Sequence, residues 1–306
     1  MSIVGAIDIG GTKISAGIID GESRVLARRT APTPAQEGPA AILALASRLL
    51  REARDVAEVQ LTAVGVGTAG AVDPSTGRIL EATAALRGWP GTPVASALAS
   101  ELGLPVHVEN DVTAFLLGEA AAGAVVGVAD VIAITVGTGI GGALMVHGRV
   151  VRGRTCVAGN IGHVPSPEAR DRRCPCGRIG HLEAVASGPA MTAAYRERSG
   201  RPAVDLRDVA CRAGSGDEIA DDVLRTGAMA LGRIVGGLVN ILDPDLVLLG
   251  GGVLGLGGWY VEAVARSAAL EVLTQSDPVP IRVATLGGDA MLVGAAAAAR
   301  AAGVRQ

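Results

Sequence analysis

Residues 3–20, IVGAIDIGGTKISAGIID, contain two apolar runs joined by a pair of glycines. Runs of this length that are rich in isoleucine and valine are typical of strands, and glycine permits the positive φ that a tight turn needs. The stretch therefore predicts a β-hairpin whose strands are Ile3–Ile9 and Thr12–Asp20 and whose turn lies at Gly10 and Gly11.

Residues 131–147, VIAITVGTGIGGALMVH, repeat this pattern in the second half of the chain. We predict a strand at Val131–Val136, a glycine turn at Gly137–Gly142 and two further strands at Ala143–His147 and Arg149–Arg152. Two glycine-turned hairpins at the start of two halves indicate that one structural unit occurs twice.

Helices and strands alternate after each hairpin, so that the first half is predicted as β-β-β-α-β-α-β-α. We therefore predict a duplicated α/β fold, with one large doubly wound sheet as the alternative. The further predicted strands are Arg24–Thr30, Leu61–Gly67, Val106–Glu109, Leu246–Leu249 and Ile281–Thr285; the predicted helices are Pro39–Val56, Val94–Leu102, Val112–Ala122, much of Leu182–Leu242, Trp259–Leu273 and Ala290–Ala302.

Composition restricts the class of protein. The 306 residues are 49% hydrophobic, carry a net charge of −3 and include only 2% aromatic side chains, which does not favour a nucleic-acid partner. The longest uncharged runs, Val131–Val146 and Leu246–Val261, are too short to span a bilayer, and no secretory signal begins the sequence. Four cysteines do not suggest a disulfide scaffold, so we expect a cytoplasmic protein without a membrane partner.

Three glycine clusters follow apolar strands, and they could bind a polyphosphate. Glycine lets an anion approach backbone N–H groups, and threonine hydroxyls add donors. Asp8 at a strand end can hold a hydrated Mg²⁺, and Lys13 is the only lysine of the chain. Hairpin turns that need glycine for geometry alone are the alternative. The candidate residues are Asp8, Gly10, Gly11, Thr12, Lys13, Thr135, Gly137, Thr138, Gly139, Gly141, Gly250, Gly251 and Gly252.

The spacing of Gly137, Gly139 and Gly142 also matches the dinucleotide-binding pattern, which makes an NAD-dependent oxidoreductase an alternative. That pattern should open a helix and be followed about 20 residues later by an acidic residue. Here the following residues predict a strand, and the acidic residue is missing near residue 160. The context therefore argues against NAD.

Two cysteines and two histidines form a candidate metal site. Cys174, Cys176, His163 and His181 offer two sulfur and two nitrogen ligands, which suits tetrahedral zinc. Free thiols and two unrelated histidines are the alternative. Cys156 and Cys211 are interpreted as small buried hydrophobic residues.

Four motifs together resemble the ROK family of bacterial sugar kinases and sugar-responsive repressors: Asp8–Lys13 (DIGGTK), Glu109–Asp111 (END), Gly162-His163 and Cys174–Glu183 (CPCGRIGHLE). The resemblance runs nearly end to end. It implies a duplicated actin-like ATPase (ribonuclease H-like) fold that binds ATP in a cleft between two lobes. Family repressors carry an additional N-terminal DNA-binding region; since the first strand is predicted from Ile3, we expect a kinase.

The resemblance also implies a domain organisation. A small lobe is expected at residues 1–112, with the C-terminal helix 290–306 packed on it. A larger lobe is expected at residues 113–289, with a zinc-binding insertion at 155–185. Family members suggest a homodimer or homotetramer.

Asp111 follows a predicted strand and precedes an apolar helix, where an aspartate is commonly an N-cap. The resemblance implies instead that Asp111 is the general base that accepts the proton of the attacking sugar hydroxyl. It also implies that His163 binds metal through one ring nitrogen and sugar through the other. The family has a third cysteine where His181 stands. The residues implied in sugar binding are Gly70, Asn110, Asp111, Asn160, His163 and Glu183.

Two positions depart from the glucose-specific pattern of the family. Asn160 stands where those members have a glutamate, and Ala85 stands where an asparagine is common. We therefore expect phosphorylation of the 6-hydroxyl of a hexose or N-acetylhexosamine, with N-acetylmannosamine favoured over glucose. A glucokinase and a catalytically inactive sugar-binding protein are the alternatives.

Overall fold

The computed structural model describes residues 2–83, 85–273 and 278–303, and the chain folds into two compact α/β units. Unit 1 comprises Met1–Gly127, Arg152–Val157 and Ala284–Gln306, and unit 2 comprises Val128–Val151 and Ala158–Val283. In chain order, the strands and α-helices are β1 (Val4–Ile9), β2 (Lys13–Ile19), β3 (Val25–Pro32), α1 (Pro39–Ala57), β4 (Val64–Thr68), β5 (Ala71–Asp73), β6 (Arg78–Glu81), α2 (Val94–Leu102), β7 (Val106–Asn110), α3 (Asp111–Ala122), β8 (Val131–Val136), β9 (Ile140–Val146), β10 (Arg149–Val151), α4 (Glu183–Ala186), α5 (Gly188–Ser199), α6 (Leu206–Gly214), α7 (Glu218–Leu242), β11 (Leu246–Gly250), α8 (Gly258–Ala269), β12 (Ile281–Val283) and α9 (Ala290–Gly303).

The two units have the same sheet topology. In unit 1 the strand order is β3-β2-β1-β4-β7, and in unit 2 it is β10-β9-β8-β11-β12. The first three strands of each unit form an antiparallel meander, and the last two run parallel to the first. This confirms the predicted duplication and excludes one continuous sheet across the described residues.

The β5–β6 hairpin was not predicted from the sequence. Its strands are three and four residues long, too short for alternation to be recognised. Asp73 forms the turn, because its side chain accepts hydrogen bonds from the amide of Ser75 and the hydroxyl of Thr76, and Gly77 has a φ of 64°.

The second glycine turn is shorter than predicted, since β9 begins at Ile140 rather than at Ala143. Gly141 and Gly142 are therefore strand residues that pair with Thr135 and Ile134. Gly142 is required there because a Cβ would overlap the side chain of Ile161. The predicted helix at residues 259–273 is also shorter, because α8 ends at Ala269.

The sheet of unit 1 is covered on both faces. One face packs against α1 and α2 in a large apolar core. On the other face, Val4, Ala6 and Ile19 pack against Leu292, Ala295, Ala296 and Ala299 of α9. Unit 2 has a separate core built from its own sheet and from α4 to α8.

Helices α3 and α9 pack closely within unit 1. A Cβ on Gly294 would overlap the carbonyl oxygen of Ala114, and one on Gly118 would overlap that of Ala290. The predicted boundary at residues 112 and 113 cuts α3, whereas its contacts with α9 place the whole helix in unit 1. Residues 304–306 of the predicted C-terminal helix lie outside the described residues. Within the described part of the chain, no helix combines the length and apolarity that crossing a membrane requires.

Candidate active site

Two carboxylates of unit 1 lie at the carboxyl ends of β1 and β7, the two strands on either side of β4. Asp8 is in β1, Asp111 follows β7, and β4 pairs with both strands in parallel. Asp8 is 9% exposed, and burial raises its pKa to about 7; the negative charge of Asp111 adds to this, while Lys13 and Arg28 oppose it. Part of the surface of Asp111 is exposed, yet burial of its carboxyl raises its pKa to about 6.

The N-cap of α3 is Asn110, not Asp111. Its Oδ1 accepts hydrogen bonds from the amides of Val112 at 2.9 Å and Thr113 at 3.1 Å. Its Nδ2 donates to the carbonyl of Gly70 at 3.0 Å and to Oδ1 of Asp111 at 2.8 Å. Asn110 therefore orients the Asp111 carboxyl, which leaves the aspartate available for chemistry rather than for capping.

Two hydrogen bonds fix the first glycine turn, one to Lys13 at the start of β2 and one from Thr33, which follows β3. The amide of Gly10 donates to the carbonyl of Lys13 at 3.1 Å, and Thr33 Oγ1 donates to the carbonyl of Gly10 at 2.7 Å. Thr12 and Lys13 are exposed. A Cβ on Gly11 would lie 3.4 Å from the Cβ of Ala85, so the loop that carries Ala85 lies next to this turn.

The second and third glycine clusters lie side by side in unit 2. Strands β8 and β11 are parallel neighbours, with Thr135 opposite Gly250. Gly251 has a φ of 95°, and a Cβ on it would overlap the backbone of Val136. Because the second turn leads into β9 and not into a helix, the dinucleotide-binding alternative is wrong.

The four predicted zinc ligands meet in unit 2, with their ligand atoms all within 4.8 Å of one another. Sγ of Cys174 lies 3.6 Å from Nδ1 of His163, and Sγ of Cys176 lies 3.3 Å from Nδ1 of His181. Tetrahedral zinc, with bonds of about 2.0–2.3 Å, places its ligands about 3.3–3.8 Å apart. The donor set therefore fits zinc, and the histidine in place of the family's cysteine reaches the site.

Glu183 is the first residue of α4 and is 8% exposed. Its Oε2 accepts a hydrogen bond from the amide of Ile140 at 2.8 Å, and its Oε1 lies 3.9 Å from Sγ of Cys174. Asn160 is exposed and begins the short 3₁₀ turn that carries His163.

Sequence reasoning missed an ion pair at the Glu-Asn-Asp motif, between Glu109 and Arg152. Glu109 is buried and accepts hydrogen bonds from His107 at 3.0 Å and from Nε of Arg152 at 3.3 Å. Burial alone would raise the pKa of Glu109, but these two partners lower it. Its place in the Glu-Asn-Asp motif was the available signal; its arginine partner, 43 residues away, was not predictable.

Two α/β units that repeat one strand order, each with a glycine turn after its first strand, have the architecture of the actin-like ATPase fold. The protein belongs to the ROK family, whose profile matches residues 4–302. A glucokinase from Thermotoga maritima is 32% identical over 260 residues, with 81% of each chain covered. An N-acetylmannosamine kinase from Salmonella typhi is 33% identical, with 95% of this chain and 96% of the relative covered.

Solved structures agree with this assignment. The crystal structure of a ROK family glucokinase from Streptomyces griseus in complex with glucose and AMPPNP superimposes with a TM-score of 0.86 at 31% identity, covering 98% of this chain and 100% of the other. The protein is therefore an ATP-dependent sugar kinase.

Proposed function

We propose that this kinase transfers the γ-phosphate of ATP to the 6-hydroxyl of a hexose, and that it prefers N-acetylmannosamine to glucose. The observation that carries the phosphoryl-transfer step is the carboxyl of Asp111, which is buried, oriented by Asn110 and has a pKa of about 6. A carboxylate with such a pKa is ionised at neutral pH and is a stronger base than an ordinary aspartate.

In the proposed reaction, Asp111 accepts the proton of the 6-hydroxyl as that oxygen attacks the γ-phosphorus. The bond between the γ-phosphorus and the bridging oxygen breaks, and ADP leaves with the electron pair. Asp8 would hold a hydrated Mg²⁺, which would supply positive charge to neutralise the phosphates. In that role Asp8 would be ionised despite its burial.

Each unit has glycine clusters that we propose as contacts for nucleotide phosphates. In unit 1 these are the partly exposed Gly10 and Gly11 with the exposed Thr12 and Lys13. Unit 2 contributes two adjacent segments at the ends of β8 and β11. The unit 2 residues proposed to bind the nucleotide are Thr135, Gly137, Thr138, Gly139, Gly141, Gly250, Gly251 and Gly252.

Asn160 is the basis for the proposed sugar preference. A glutamate suits two sugar hydroxyl donors, whereas the N-acetyl group presents a carbonyl acceptor at C2. Asn160 can donate to that carbonyl, and an ionised glutamate cannot. We assign the remaining sugar contacts to Gly70, Asn110, Asp111, His163 and Glu183. The relatives are divided, since one is named a glucokinase and another an N-acetylmannosamine kinase.

The test is kcat/KM for N-acetylmannosamine and for glucose, measured by coupled ADP release at saturating Mg-ATP. A buried polar group left unpaired costs about 1–3 kcal/mol, so we expect N-acetylmannosamine to be preferred by roughly ten- to a hundredfold. Asn160→Glu should narrow or reverse this preference, whereas the matched Asn160→Gln, which keeps the amide donor, should retain it.

A strong preference of the wild type for glucose would show that the donor argument is wrong and that the protein is a glucokinase. Absence of ADP release with every hexose and N-acetylhexosamine would favour an inactive sugar-binding protein.

We further propose that His163, Cys174, Cys176 and His181 hold one structural zinc ion. Gly177 and Gly180, with φ near 90°, allow the chain to turn back between the ligands. Elemental analysis of protein purified without added metal should find one zinc per chain, and Cys176→Ser should lose it. Cys211→Ser is the control, because Cys211 lies outside the cluster and should leave the zinc content unchanged.

We also propose that the kinase is a homodimer or homotetramer. The support for this proposal is the family resemblance alone. Light scattering after size-exclusion chromatography at several concentrations decides it, and a single mass near 30.5 kDa at all of them would contradict it.

A further inference from the structure

The second glycine turn is held from one side by the segment that contains Glu183 and Gly188. At one end of the turn, Glu183 Oε2 accepts the hydrogen bond of the Ile140 amide at 2.8 Å. At the other end, the amide of Gly188 donates to the carbonyl of Gly137 at 2.9 Å. Within the turn itself, the amide of Gly137 donates to the carbonyl of Gly139 at 2.9 Å. Both ends of the turn are therefore attached to one segment of unit 2.

The carboxylate also occupies the space beside Gly139. A Cβ on this glycine would lie 2.6 Å from Glu183 Oε2, closer than any real contact of that kind. Gly139 does not have a positive φ, so its backbone conformation alone does not require glycine. A methyl group at this position would displace the end of the Glu183 side chain, so the turn and the carboxylate have complementary shapes.

The position of Glu183 connects this turn to the metal ligands. Glu183 follows His181 by two residues, and its Oε1 lies 3.9 Å from Sγ of Cys174, while its Oε2 faces the turn. The two oxygens of one buried carboxylate thus face the cysteine–histidine cluster and the glycine turn, all within unit 2.

We propose that Glu183 is a positioning residue for the nucleotide: it fixes the conformation of the turn at Gly137–Ile140, so that ATP affinity depends on Glu183 even when no sugar is bound. This inference rests on the proposed nucleotide role of the turn. It gives Glu183 a second role beyond its proposed contact with the sugar, and it makes the sugar and nucleotide sites thermodynamically coupled. Because linkage is reciprocal, a sugar that draws the carboxylate away from Ile140 lowers ATP affinity by the same factor by which ATP lowers sugar affinity.

The test is the affinity for Mg-AMPPNP, measured by calorimetry without sugar. Glu183→Ala removes the acceptor for the Ile140 amide, and we expect it to weaken nucleotide binding at least about tenfold. Glu183→Gln keeps an oxygen that can accept this hydrogen bond, so it should restore most of the affinity. Glu262→Ala, which removes an exposed carboxylate of α8 that pairs with Arg266, should leave the affinity unchanged.

A double-mutant cycle tests the contact from the opposite side. Gly139→Ala pushes the carboxylate away from the turn, so we expect a comparable loss of affinity in the wild-type background. In the Glu183→Ala background the space is vacant, and Gly139→Ala should then have little further effect. Additive losses in the double mutant would overturn the proposal, because they would show that the two residues act independently. Thermal unfolding of each variant identifies any that fails to fold. If Glu183→Ala fails, Glu183→Asp, whose shorter side chain withdraws the acceptor from the Ile140 amide, provides the measurement.

Two failures are distinguishable. If the wild-type protein binds no Mg-AMPPNP and releases no ADP with any sugar, the proposed function is wrong. If the wild type binds the nucleotide and Glu183→Ala binds it equally well without sugar, then Glu183 serves the sugar alone and the inference is overturned.

Discussion

At the scale of single residues, the chemistry depends on two aspartates that share one buried edge of a sheet. Burial raises the pKa of both, and the negative charge of Asp111 further raises the cost of ionising Asp8. Buried carboxyl groups with raised pKa values lower the stability of the folded protein, and they are typical of functional sites. The two residues allow separate predictions for activity and for stability.

Asp111→Asn is expected to lower kcat at least about a hundredfold, because the amide cannot accept the sugar proton. Its Oδ1 can still accept the hydrogen bond of the Val112 amide, so folding and ATP binding should remain near wild type. For the wild type, kcat/KM should fall below about pH 6, since Asp111 must be ionised to act as a base. The pH–rate profile and single-turnover kinetics check this; near-normal turnover in the variant would contradict it.

Asp8→Asn is expected to stabilise the metal-free protein at pH 8. The folded-state pKa of Asp8 is raised to about 7 from 3.8, so between these values the folded state binds more protons than the unfolded state. The favourable contribution of Asp8 to the free energy of unfolding is therefore fully present below about pH 4, and it is lost as the pH rises through about 7. The gain from Asp8→Asn should grow over that range, to at most about 4 kcal/mol.

Urea unfolding in the presence of a chelator at pH 4.5 and pH 8 measures this effect. Asp20→Asn is a control for which we expect the opposite change in the free energy of unfolding, because hydrogen bonds from the backbone and side chain of Arg24 lower the pKa of Asp20. That variant should lose stability at pH 8. If Asp8→Asn changes the free energy of unfolding by the same amount at both pH values, the burial of Asp8 does not affect folding.

The sequence indicated which residues belong to the candidate site better than it indicated how they interact. Motif spacing predicted Asp111 and all four members of the cysteine–histidine cluster, and the structure brings that cluster together. It did not predict that Asn110 caps α3, nor that Glu183 binds the amide of Ile140. The second contact joins residues 43 positions apart, and only the folded chain determines it.

At the scale of secondary structure, the first two strands of both meanders were predictable because each is a mostly apolar run next to a glycine turn. The start of β9 was not predictable, since Gly141 and Gly142 resemble a turn in sequence but are strand residues, and Gly142 packs closely against Ile161 and the carbonyl of Gly159. The contact of α3 with α9 was not predictable either. Glycine has a low helix propensity, and its role in close helix packing becomes evident only when the partner helix is known.

Gly294→Ala is expected to destabilise unit 1 by about 1–3 kcal/mol or more, because the new Cβ would overlap the carbonyl of Ala114 and separate α3 from α9. Gly303→Ala is a matched control in the same helix, where the added Cβ meets no neighbour within 4 Å. That change should be neutral or slightly stabilising. Chemical denaturation compares the two variants, and equal stability would show that α9 can move without cost.

At the scale of the whole molecule, the two units repeat one strand order but differ in how the chain builds them. Unit 2 is interrupted only by the short segment Arg152–Val157. Unit 1 is assembled from three segments, and α9 covers the face of its sheet formed by Val4, Ala6 and Ile19. Each unit has its own apolar core, so each can lose structure by itself.

A chain that ends at Asp289 is therefore expected to damage unit 1 while leaving unit 2 intact. Hydrogen exchange with mass spectrometry should show lost protection in β1 and β4 and near-normal protection in β8 and β11. Binding of a dye that reports exposed apolar surface should also increase. Retained protection of β1 would contradict this expectation, and equal loss in both units would show that they fold only together.

The position of α9 also has a consequence for synthesis on the ribosome. The strands of unit 1 emerge first, but the helix that covers their second face emerges after all of unit 2 has been made. At about 5–20 residues per second, that apolar face stays uncovered for roughly 10–40 s. The earliest-made unit is thus the last to be completed, and the nascent chain presents a surface suited to chaperones for most of its translation. A stop codon just before Ala290 would consequently disable the part of the protein that was translated first.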